Sequence, residues 1–575
     1  MLTKKYLIIF LSTLEKKQKY YMILFAVFIF VLSFLESFGL GMFYPFIQSV
    51  TNNEINPHIL EFYNSVKTIF NFKYDFQVLS ILIVAMIIIV KNIFSYYFEY
   101  WQLTFLNDLR ISLKKKLLKV HFNNDYEISS NIKMSTYIRD FNNTIETFVL
   151  SFQTLIQLFI EVTIFFGIII LLLIIQSKQI IFFSITLSFV ALLIFYFLKK
   201  MITLKGSLHL ELQDKSLKKL IDILNSTKEI IVFDKSNFFT KQFISIDLKT
   251  LNNTKFVNLI QKFPKYFFES VVIICFVIFI FFAKSSQIDL NELLPELSII
   301  FLALIKLLPG LTKILFHSQK LNFADKATTK ISEDIKIYNR IEKEEKTLRK
   351  INFSKSIELK NIHFKYKNRD NIILENMNFK INKGDFIGIY GESGGGKSTL
   401  LSILTGFLKP SKGEILVDDL QIEDLKYTDW MKKVSYLTQE NNLIDESILK
   451  NITLEFDNSK IDFDFFEKVC EQSGLSDFIK QLPDKYDTEI GQKAISISGG
   501  ERQRIGVARS LYAKKEFLIF DESTVNLDEA NKMKFVKTIN NLSKDKTILL
   551  ISHDHEIIKN CKKKFIIKDK SLIQV

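Results

Sequence analysis

Hydrophobic and polar residues are distributed unevenly along this 575-residue chain. The first 323 residues contain six long apolar stretches, each near the roughly 20 helical residues that cross a hydrocarbon layer of about 30 Å. They lie near Tyr21–Phe43, Val78–Tyr100, Leu150–Ile175, Ile180–Leu198, Tyr266–Ala283 and Leu294–Phe316. The core of one soluble domain cannot enclose six such helices, so residues 1–323 are predicted to form an all-α transmembrane domain with six spans.

The polar segments of this half have a helical character of their own. Residues 101–149 and 199–265 are long, polar and compatible with helix, which predicts helices that extend from the membrane into the cytosol. Residues 324–351 are highly charged, and Ile331 and Ile335 fall on one helical face. We therefore expect this segment to be a helical linker.

The pattern changes again from residue 352. Short apolar runs with β-like composition alternate with helical stretches, as at Phe386–Tyr390, Phe517–Phe520 and Thr547–Ile551. Alternation of strands and helices is typical of an α/β fold with a parallel sheet. Residues 352–575 are therefore predicted to form a separate α/β domain.

Charge separates the two halves and sets the orientation. The formal net charge is +14, with 33 Lys+Arg against 22 Asp+Glu in residues 1–323 and 43 against 40 in residues 324–575. The excess lies with the apolar half, which argues against a nucleic-acid partner. Three loops hold few basic residues, namely Lys67, Lys73, Lys178 and Lys284. The opposite side is therefore predicted to be cytoplasmic, with both termini and the α/β domain there.

Composition excludes several other classes. Hydrophobic residues make up 48% of the chain, which is too many for a disordered protein. Cys275, Cys470 and Cys561 are far apart, so neither a disulfide scaffold nor a cysteine metal cluster is expected.

The strongest motif follows the predicted strand Phe386–Tyr390. The run reads Gly391-Glu392-Ser393-Gly394-Gly395-Gly396-Lys397-Ser398-Thr399 and matches the phosphate-binding pattern G-x-x-x-x-G-K-[ST]. Glycines allow the backbone N–H groups to face phosphates, and the helix that follows adds a favourable dipole. Lys397 is predicted to bridge the β- and γ-phosphates of ATP, with the Ser398 hydroxyl on Mg²⁺.

A second part of this site follows the strand Phe517–Phe520. The strand leads into Asp521 and Glu522, which it delivers beside the phosphate loop. Asp521 is predicted to hold Mg²⁺, through water, and Glu522 to polarise the attacking water. Without the phosphate loop nearby, Asp521 and Glu522 would be interpreted as an ordinary acidic turn after a strand.

The third motif carries a family resemblance. Ile497-Ser498-Gly499-Gly500-Glu501-Arg502-Gln503-Arg504 closely resembles the signature of ABC (ATP-binding cassette) ATPases, with Ile and Glu at its first and fifth positions where Leu and Gln are usual. The resemblance implies that Ser498, Gly499 and Gly500 close on the γ-phosphate of ATP bound to the opposite subunit.

Further site residues are implied by the same resemblance. Gln439 looks like the glutamine that senses Mg²⁺, and His553 like the switch histidine that contacts the γ-phosphate. Tyr366 looks like the aromatic that stacks on adenine, although a purely structural tyrosine is a fair alternative. Asp528 resembles the aspartate of the D-loop, but the preceding Val525-Asn-Leu departs from the usual Ser-Ala-Leu.

Six spans ahead of one cassette resemble an ABC exporter half-transporter. The resemblance implies a homodimer with two ATP sites, Mg²⁺ as cofactor, and alternating access driven by ATP. The cytosolic segments near 120–127 and 222–232 are then the expected coupling elements. A cassette ATPase acting on DNA or translation, or a membrane-bound regulator without transport, is the rival from another class, and the six spans argue against its soluble forms.

The transported substance has to be sought in the spans, where ionisable residues are costly. The ionisable residues there are Glu36, Lys91, Glu99, Glu161, Glu269 and Lys306, and interhelical ion pairs are the plain alternative for them.

The stretches Phe34–Ile47 and Leu302–Lys313 look similar to bacterial lipid-linked oligosaccharide flippases. That similarity implies a polyprenyl-pyrophosphate glycan moved from the inner to the outer leaflet of a bacterial inner membrane, with Lys306, Lys313 and Glu36 as candidate substrate residues. Export of a peptide, a drug or another lipid stays open, and Glu36 and Glu269 would suit a cationic drug.

Overall fold

The structure is a computed structural model of the whole chain. It describes residues 2–41, 61, 76–123, 134–174, 178–285, 290–347, 353–366, 371–391, 394–422, 427–439, 441–491, 497–521 and 529–575. Two compact units make up the chain, the first spanning Met1–Phe122 and Ile132–Arg340 and the second including Ile341–Val575. The domain boundaries at residues 323 and 351 stay predictions.

The first unit is entirely helical where it is described. Its helices are α1 Leu2–Thr13, α2 Lys16–Gly41, α3 Phe76–Asn123, α4 Met134–Arg139, α5 Ile145–Ile174, α6 Lys178–Asn225, α7 Thr227–Val232, α8 Ser236–Ser285, α9 Leu290–Phe323 and α10 Asp325–Thr347. A single π-helical turn, Asp140–Thr144, joins α4 to α5. The six predicted spans lie within or overlap α2, α3, α5, α6, α8 and α9.

Three of these helices are much longer than a membrane is thick. Helices α3 and α6 have 48 residues each and α8 has 50. At 1.5 Å per residue each is about 70–75 Å long, more than twice the hydrocarbon thickness of about 30 Å. Such helices must continue beyond the bilayer, in agreement with the predicted cytosolic extensions.

Membrane-crossing character is present in the described part of this unit. Three helical segments there are long and apolar enough to span a bilayer, namely Lys16–Gly39, Ser80–Phe122 and Met134–Ile170. Their outer faces carry exposed large hydrophobic side chains such as Phe30, Ile89 and Phe166. Exposed apolar surface of this kind is suited to lipid.

The amino-terminal helix α1 is held by aromatic packing and by one buried hydroxyl. Phe10 makes edge contacts with Phe148 and Phe152 of α5, at centroid distances of 5.1 and 4.9 Å. The Tyr6 hydroxyl donates to the Leu321 carbonyl at 2.8 Å and to Asp325 at 2.9 Å. The helix is therefore fixed to the junction of α9 and α10.

The second unit is an α/β domain. Its strands are β1 Ser356–Lys365, β2 Ile372–Asn382, β3 Phe386–Tyr390, β4 Lys412–Val417, β5 Leu420–Gln421, β6 Val434–Leu437, β7 Glu446–Ser447, β8 Glu489–Ile490, β9 Phe517–Asp521, β10 Thr547–Ile551, β11 Lys563–Lys568 and β12 Ser571–Gln574. Its helices are α11 Lys397–Leu404, α12 Tyr427–Met431, α13 Ile448–Thr453, α14 Phe463–Gln472, α15 Ser476–Gln481, α16 Gly499–Tyr512, α17 Glu529–Leu542 and α18 His555–Lys559, with 3₁₀ turns at Asn458–Lys460 and Lys485–Asp487.

The main sheet of this unit has six strands in the order β12-β11-β3-β10-β9-β6. Strands β11, β3, β10, β9 and β6 run parallel, and only β12 is antiparallel to its neighbour. Strands β9 and β10 are buried along their whole length, which matches their continuous apolar sequences. The predicted fold class, an all-α membrane domain followed by an α/β domain, is confirmed.

Candidate functional site

The phosphate loop joins β3 to α11. Gly394 and Gly396 have φ values of +85° and +96°, which favour glycine. A Cβ on Gly396 would lie 2.9 Å from Leu374 Cδ2, so the loop is packed against β2 at this point. Glu392 and Ser393, which were predicted to belong to the loop, lie outside the described residues.

The loop lysine meets the predicted switch histidine. Lys397 is only 6% exposed, and its Nζ donates to the Gly391 carbonyl at 2.7 Å. The same Nζ lies 3.0 Å from His553 Nε2, so that ring nitrogen accepts the hydrogen bond. Lys397 and His553 lie 156 positions apart in the chain. The fold thus brings together two groups predicted to contact the γ-phosphate.

Strand register explains how His553 and Asp521 reach the loop. Ile551 at the end of β10 lies opposite Ile389 of β3 on one side and opposite Asp521 of β9 on the other. His553 lies two residues beyond the end of β10, so it emerges between the phosphate loop and Asp521. The carboxyl ends of parallel strands share one edge of the sheet, where ligands of such folds bind.

Asp521 is buried and has a partner that the sequence reasoning missed. Its side chain is oriented by Tyr436 of β6, whose hydroxyl donates to Oδ2 at 3.0 Å. The available signal was a tyrosine on the strand that runs into Gln439. Glu522 and Asp528 lie outside the described residues, so their roles stay predictions.

The predicted metal-binding residues fit a magnesium ion chemically. Ser398 is exposed on the first turn of α11, and Gln439 is exposed two residues beyond β6. With Asp521 they offer hydroxyl, amide and carboxylate oxygens, which are the hard ligands that Mg²⁺ prefers. Mg²⁺ typically takes one or two carboxylates together with phosphate oxygens, so one buried aspartate beside the phosphate loop is consistent with its presence.

Tyr366 lies just after β1 and close to the phosphate-loop helix. Its hydroxyl is 3.3 Å from Thr399 Oγ1, and its ring packs edge-on against Phe364 at 4.9 Å. Its side chain is half-buried. The stacking of Tyr366 on adenine stays a prediction.

The signature motif forms a helix cap. Ser498 is the N-cap of α16: its hydroxyl accepts from the Glu501 N–H at 3.3 Å, and Glu501 Oε2 accepts from the Ser498 N–H at 2.7 Å. This reciprocal capping box fixes the turn that contains Gly499 and Gly500. Glutamate and glutamine both serve at this position, which explains why the departure at Glu501 leaves the turn intact.

A cavity of about 810 Å³ adjoins the phosphate loop. Its lining includes Ile373, Gly391, Gly395, His553 and Lys570. A cavity of this volume is within the usual range for small-molecule sites. The cavity therefore has room for a nucleotide beside the loop.

A second cavity, of about 510 Å³, lies between helices of the first unit and is called the four-helix cavity below. Two residues predicted to contact substrate, Glu36 and Lys313, both line it. Glu36 pairs with Lys91 at 2.7 Å, and Lys313 pairs with Glu161 at 2.8 Å. Lys306 lies on α9, but its side chain is outside the described part of the structure.

The geometry of the phosphate loop predicts a matched pair of glycine variants. Gly396→Ala should strain the backbone by about 1–2 kcal/mol and push against β2, lowering nucleotide affinity at least tenfold. Gly384→Ala has the same kind of strain, since its φ is +83°, but an added Cβ there meets open space. The control should lose stability without losing affinity. Binding of a fluorescent ATP analogue and thermal unfolding measure both effects, and equal affinity losses would contradict this account of the loop.

Comparisons with known proteins agree with this geometry. Residues 374–525 match the family model described as "ABC transporter". The alpha-hemolysin translocation ATP-binding protein HlyB of Escherichia coli O157:H7 is 38% identical over 220 residues, covering 38% of this chain and 30% of that protein. A putative export ATP-binding/permease protein of Rickettsia prowazekii is 37% identical over 199 residues, covering 34% of each. The chain therefore matches about a third of the length of these relatives.

The fold of the whole chain has a solved counterpart. The structure of a bacterial Atm1-family ABC exporter with ATP bound superposes with a TM-score of 0.72 at 18% identity, covering 97% of this chain and 95% of that one. At this identity the likeness concerns the fold alone. The chain thus has the fold of an ABC exporter half-transporter, with a helical membrane domain followed by an ABC transporter ATP-binding domain.

Proposed function

We propose that this protein is an ATP-driven ABC exporter that works as a homodimer in a bacterial inner membrane and moves a lipid-linked oligosaccharide to the outer leaflet. The observation that carries the ATPase part is the position of Lys397. Its Nζ lies 2.7 Å from the Gly391 carbonyl oxygen and 3.0 Å from His553 Nε2. The transport part is supported by the six helices that contain the predicted spans, three of which are long and apolar enough to cross a bilayer over their described residues.

Each residue of the site has a distinct task in hydrolysis. The glycine loop and Lys397 bind the triphosphate and hold the γ-phosphoryl group in line for attack. Glu522 orients the water and takes up its proton, and His553 donates to the γ-phosphate oxygens. Ser398, Gln439 and Asp521 are the residues that would hold Mg²⁺. When bound, the ion neutralises charge on the phosphates.

The signature turn needs a second chain to act. Ser498 and the N–H groups at Gly499 and Gly500 form a helix N-terminus suited to an anion. In the proposed homodimer they close on the γ-phosphate held by the other chain. Two chains then form two composite ATP sites, which explains how one cassette per chain is sufficient.

The four-helix cavity supports an amphiphilic anion as substrate. Leu32, Ile164, Phe165 and Ile168 give it an apolar wall, which suits a polyprenyl chain. Lys313 is 57% exposed although it is paired with Glu161, so its ammonium has donors left for a phosphate oxygen. A charged group at membrane depth is costly unless it is paired or functional.

The cationic-drug alternative has less support. Glu36 is neutralised by Lys91, and Glu269 lies 4.0 Å from Lys265 on an exposed helix face. The likeness to a hemolysin translocation protein covers 38% of this chain. This partial likeness therefore does not support a protein as the substrate of this chain.

Glu522→Gln tests the proposed catalytic base. Glutamine keeps the shape of the side chain but cannot accept the water proton, so hydrolysis should fall at least about 100-fold while ATP binding persists and a closed dimer accumulates. ATP turnover and fluorescent-nucleotide affinity measure the two effects. Asp545→Asn, an exposed carboxylate just before β10, is the control and should turn over normally. Wild-type turnover by the Glu522 variant would mean that another group is the base.

Reconstitution tests the substrate. In proteoliposomes, a fluorescent polyprenyl-pyrophosphate glycolipid should cross the bilayer with ATP and stimulate ATPase activity, because its pyrophosphate meets Lys313. Lys313→Gln should weaken that stimulation several-fold, whereas Lys265→Gln, on α8 and paired with Glu269, should not. Stimulation by a hydrophobic cation and none by the glycolipid would overturn the flippase assignment.

A further inference from the structure

A two-residue turn joins β11 to β12 at the rim of the cavity beside the phosphate loop. Lys568, the last residue of β11, pairs with Ser571, the first of β12, so Asp569 and Lys570 are the central residues of the turn. Their φ values are +49° and +63°. Positive φ at both central positions is the geometry of a type I′ hairpin turn, in which Asn-Gly and Asp-Gly are strongly preferred. The turn therefore contains a lysine where glycine is the favoured residue.

Strand register places this turn next to the phosphate loop. The last residue pair between β11 and β3 joins Ile566 to Tyr390, which is the final residue of β3. Strand β11 continues for two more residues, so its end and the turn extend past the edge of the sheet at which the phosphate loop begins. A Cβ on Gly391 would lie only 3.2 Å from the Ile567 carbonyl oxygen. The backbone of β11 is therefore in direct contact with the start of the loop.

Backbone hydrogen bonds hold the turn in place. The Lys570 carbonyl accepts from the Glu375 N–H of β2 at 3.1 Å. The Ser571 hydroxyl donates to the Lys568 carbonyl at 3.0 Å. Neither bond uses a lysine side chain. The position of the turn is therefore independent of the side chain at residue 570.

The fold itself gives no reason for a lysine at position 570. Lys570 is exposed, and its ammonium makes no hydrogen bond or ion pair with the part of the chain that the structure describes. A side chain on a left-handed residue strains the backbone, and strain of this kind is concentrated at ligand sites in native proteins. Asp569 needs no such explanation, because aspartate is favoured at the first central position of the turn.

The cavity beside the turn supplies a reason for a cation. It is lined by residues of both the turn and the phosphate loop, namely Lys568, Asp569, Lys570, Gly391, Gly394 and Gly395. The two lysines outnumber the one carboxylate, so the turn is net positive where it faces the loop. A lysine ammonium has three donors on a flexible stem, which allows it to follow an anion. Lys570 is thus an adaptable cation on the rim of a cavity suited to phosphates.

We propose that Lys570 is a nucleotide-binding residue, whose ammonium reaches into the cavity and bonds a phosphate oxygen of ATP held on the phosphate loop. This inference rests on the proposed function, since it takes ATP to be the ligand of the loop. The left-handed lysine then serves the ligand and weakens the turn. Stability and nucleotide affinity are therefore opposed at this one position.

Lys570→Gly in the full-length protein tests this opposition. Glycine adopts the left-handed conformation without strain, so the unfolding temperature should stay the same or rise. Loss of the ammonium should weaken binding of a fluorescent ATP analogue about fivefold at an ionic strength of about 0.05 M. Unchanged nucleotide affinity in this variant would overturn the proposal.

Lys485→Gly is the matched control. Lys485 is also exposed and has a φ of +50°, but it does not line the cavity. Its replacement removes the same charge and relieves the same kind of strain, so the unfolding temperature should again stay the same or rise. Nucleotide affinity should remain within about twofold of wild type, because the charge lies away from the cavity. Equal losses of affinity in the two variants would mean that only the net charge of the domain matters, and the proposed contact would be wrong.

Salt and a conservative variant separate a phosphate contact from an effect of packing. At an ionic strength of about 1 M the screening length falls to about 3 Å, so wild type and Lys570→Gly should differ in affinity by less than about twofold. Lys570→Arg keeps the charge, and at low salt it should bind within about twofold of wild type. A difference that persists at high salt, or an arginine variant as weak as the glycine variant, would contradict a charged contact with phosphate.

Failure of this inference and failure of the proposed function give different results. Wild-type protein that binds no ATP analogue would contradict the proposed function itself. Wild-type binding together with an unaffected Lys570→Gly variant would remove only the role of Lys570. The same titration of wild type and variant therefore decides both.

Discussion

Parallel pairing of the buried strands β3, β10 and β9 is the constraint on which the nucleotide site depends. Their register sets the phosphate loop, His553 and Asp521 side by side at one edge of the sheet. A shift by one residue would exchange the side chains of β9 or β10 between the two faces of the sheet and would misplace Asp521 or His553. Hydrophobic burial in the sheet therefore determines the spacing of the polar groups that we propose act on ATP.

A different constraint governs the membrane half. Charged side chains inside apolar helices need partners, and the pairs Glu36–Lys91 and Glu161–Lys313 each join two helices around one cavity. These pairs keep charge available at membrane depth without leaving it unpaired. An anionic headgroup that competes with Glu161 for Lys313 would weaken the contact between α5 and α9 as it binds. Substrate recognition would then be coupled to helix movement.

The sequence was informative wherever the determinant is local. Strand β3 and the start of α11 follow from a short apolar run and a glycine-rich loop with lysine, and both occur where expected. Ser498 and Glu501 also have the spacing of a capping box, but that spacing was not among the sequence predictions, and the cap was recognised in the structure. Neighbouring residues alone decide these features, so one sequence is enough to predict them.

Long-range partners were beyond the reach of the same reasoning. Asn441 and Arg509 are in contact although they lie 68 positions apart in the chain. Arg509 also donates to the backbone carbonyl of Asn442, and no side-chain pattern reveals such a bond. The one available hint was an arginine among the apolar neighbours Ile505, Val507 and Leu511 on α16. Likewise Lys91 and Glu161 were recognised as costly charges, but their partners depend on how the helices rotate against each other.

The central claim is that each ATP site is shared between two chains, and subunit complementation tests it most directly. Lys397→Ala disables the phosphate loop of its own chain. Gly500→Asp disables the signature, because its carboxylate would repel the γ-phosphate held by the other chain. The helix itself should still form, since a helix N-terminus tolerates acidic residues. Each variant alone should be inactive. A heterodimer purified through two different tags retains one intact composite site and should recover up to about half of the wild-type ATPase activity. A heterodimer as inactive as its parents would contradict the account, since a site built within one chain is disabled in both partners.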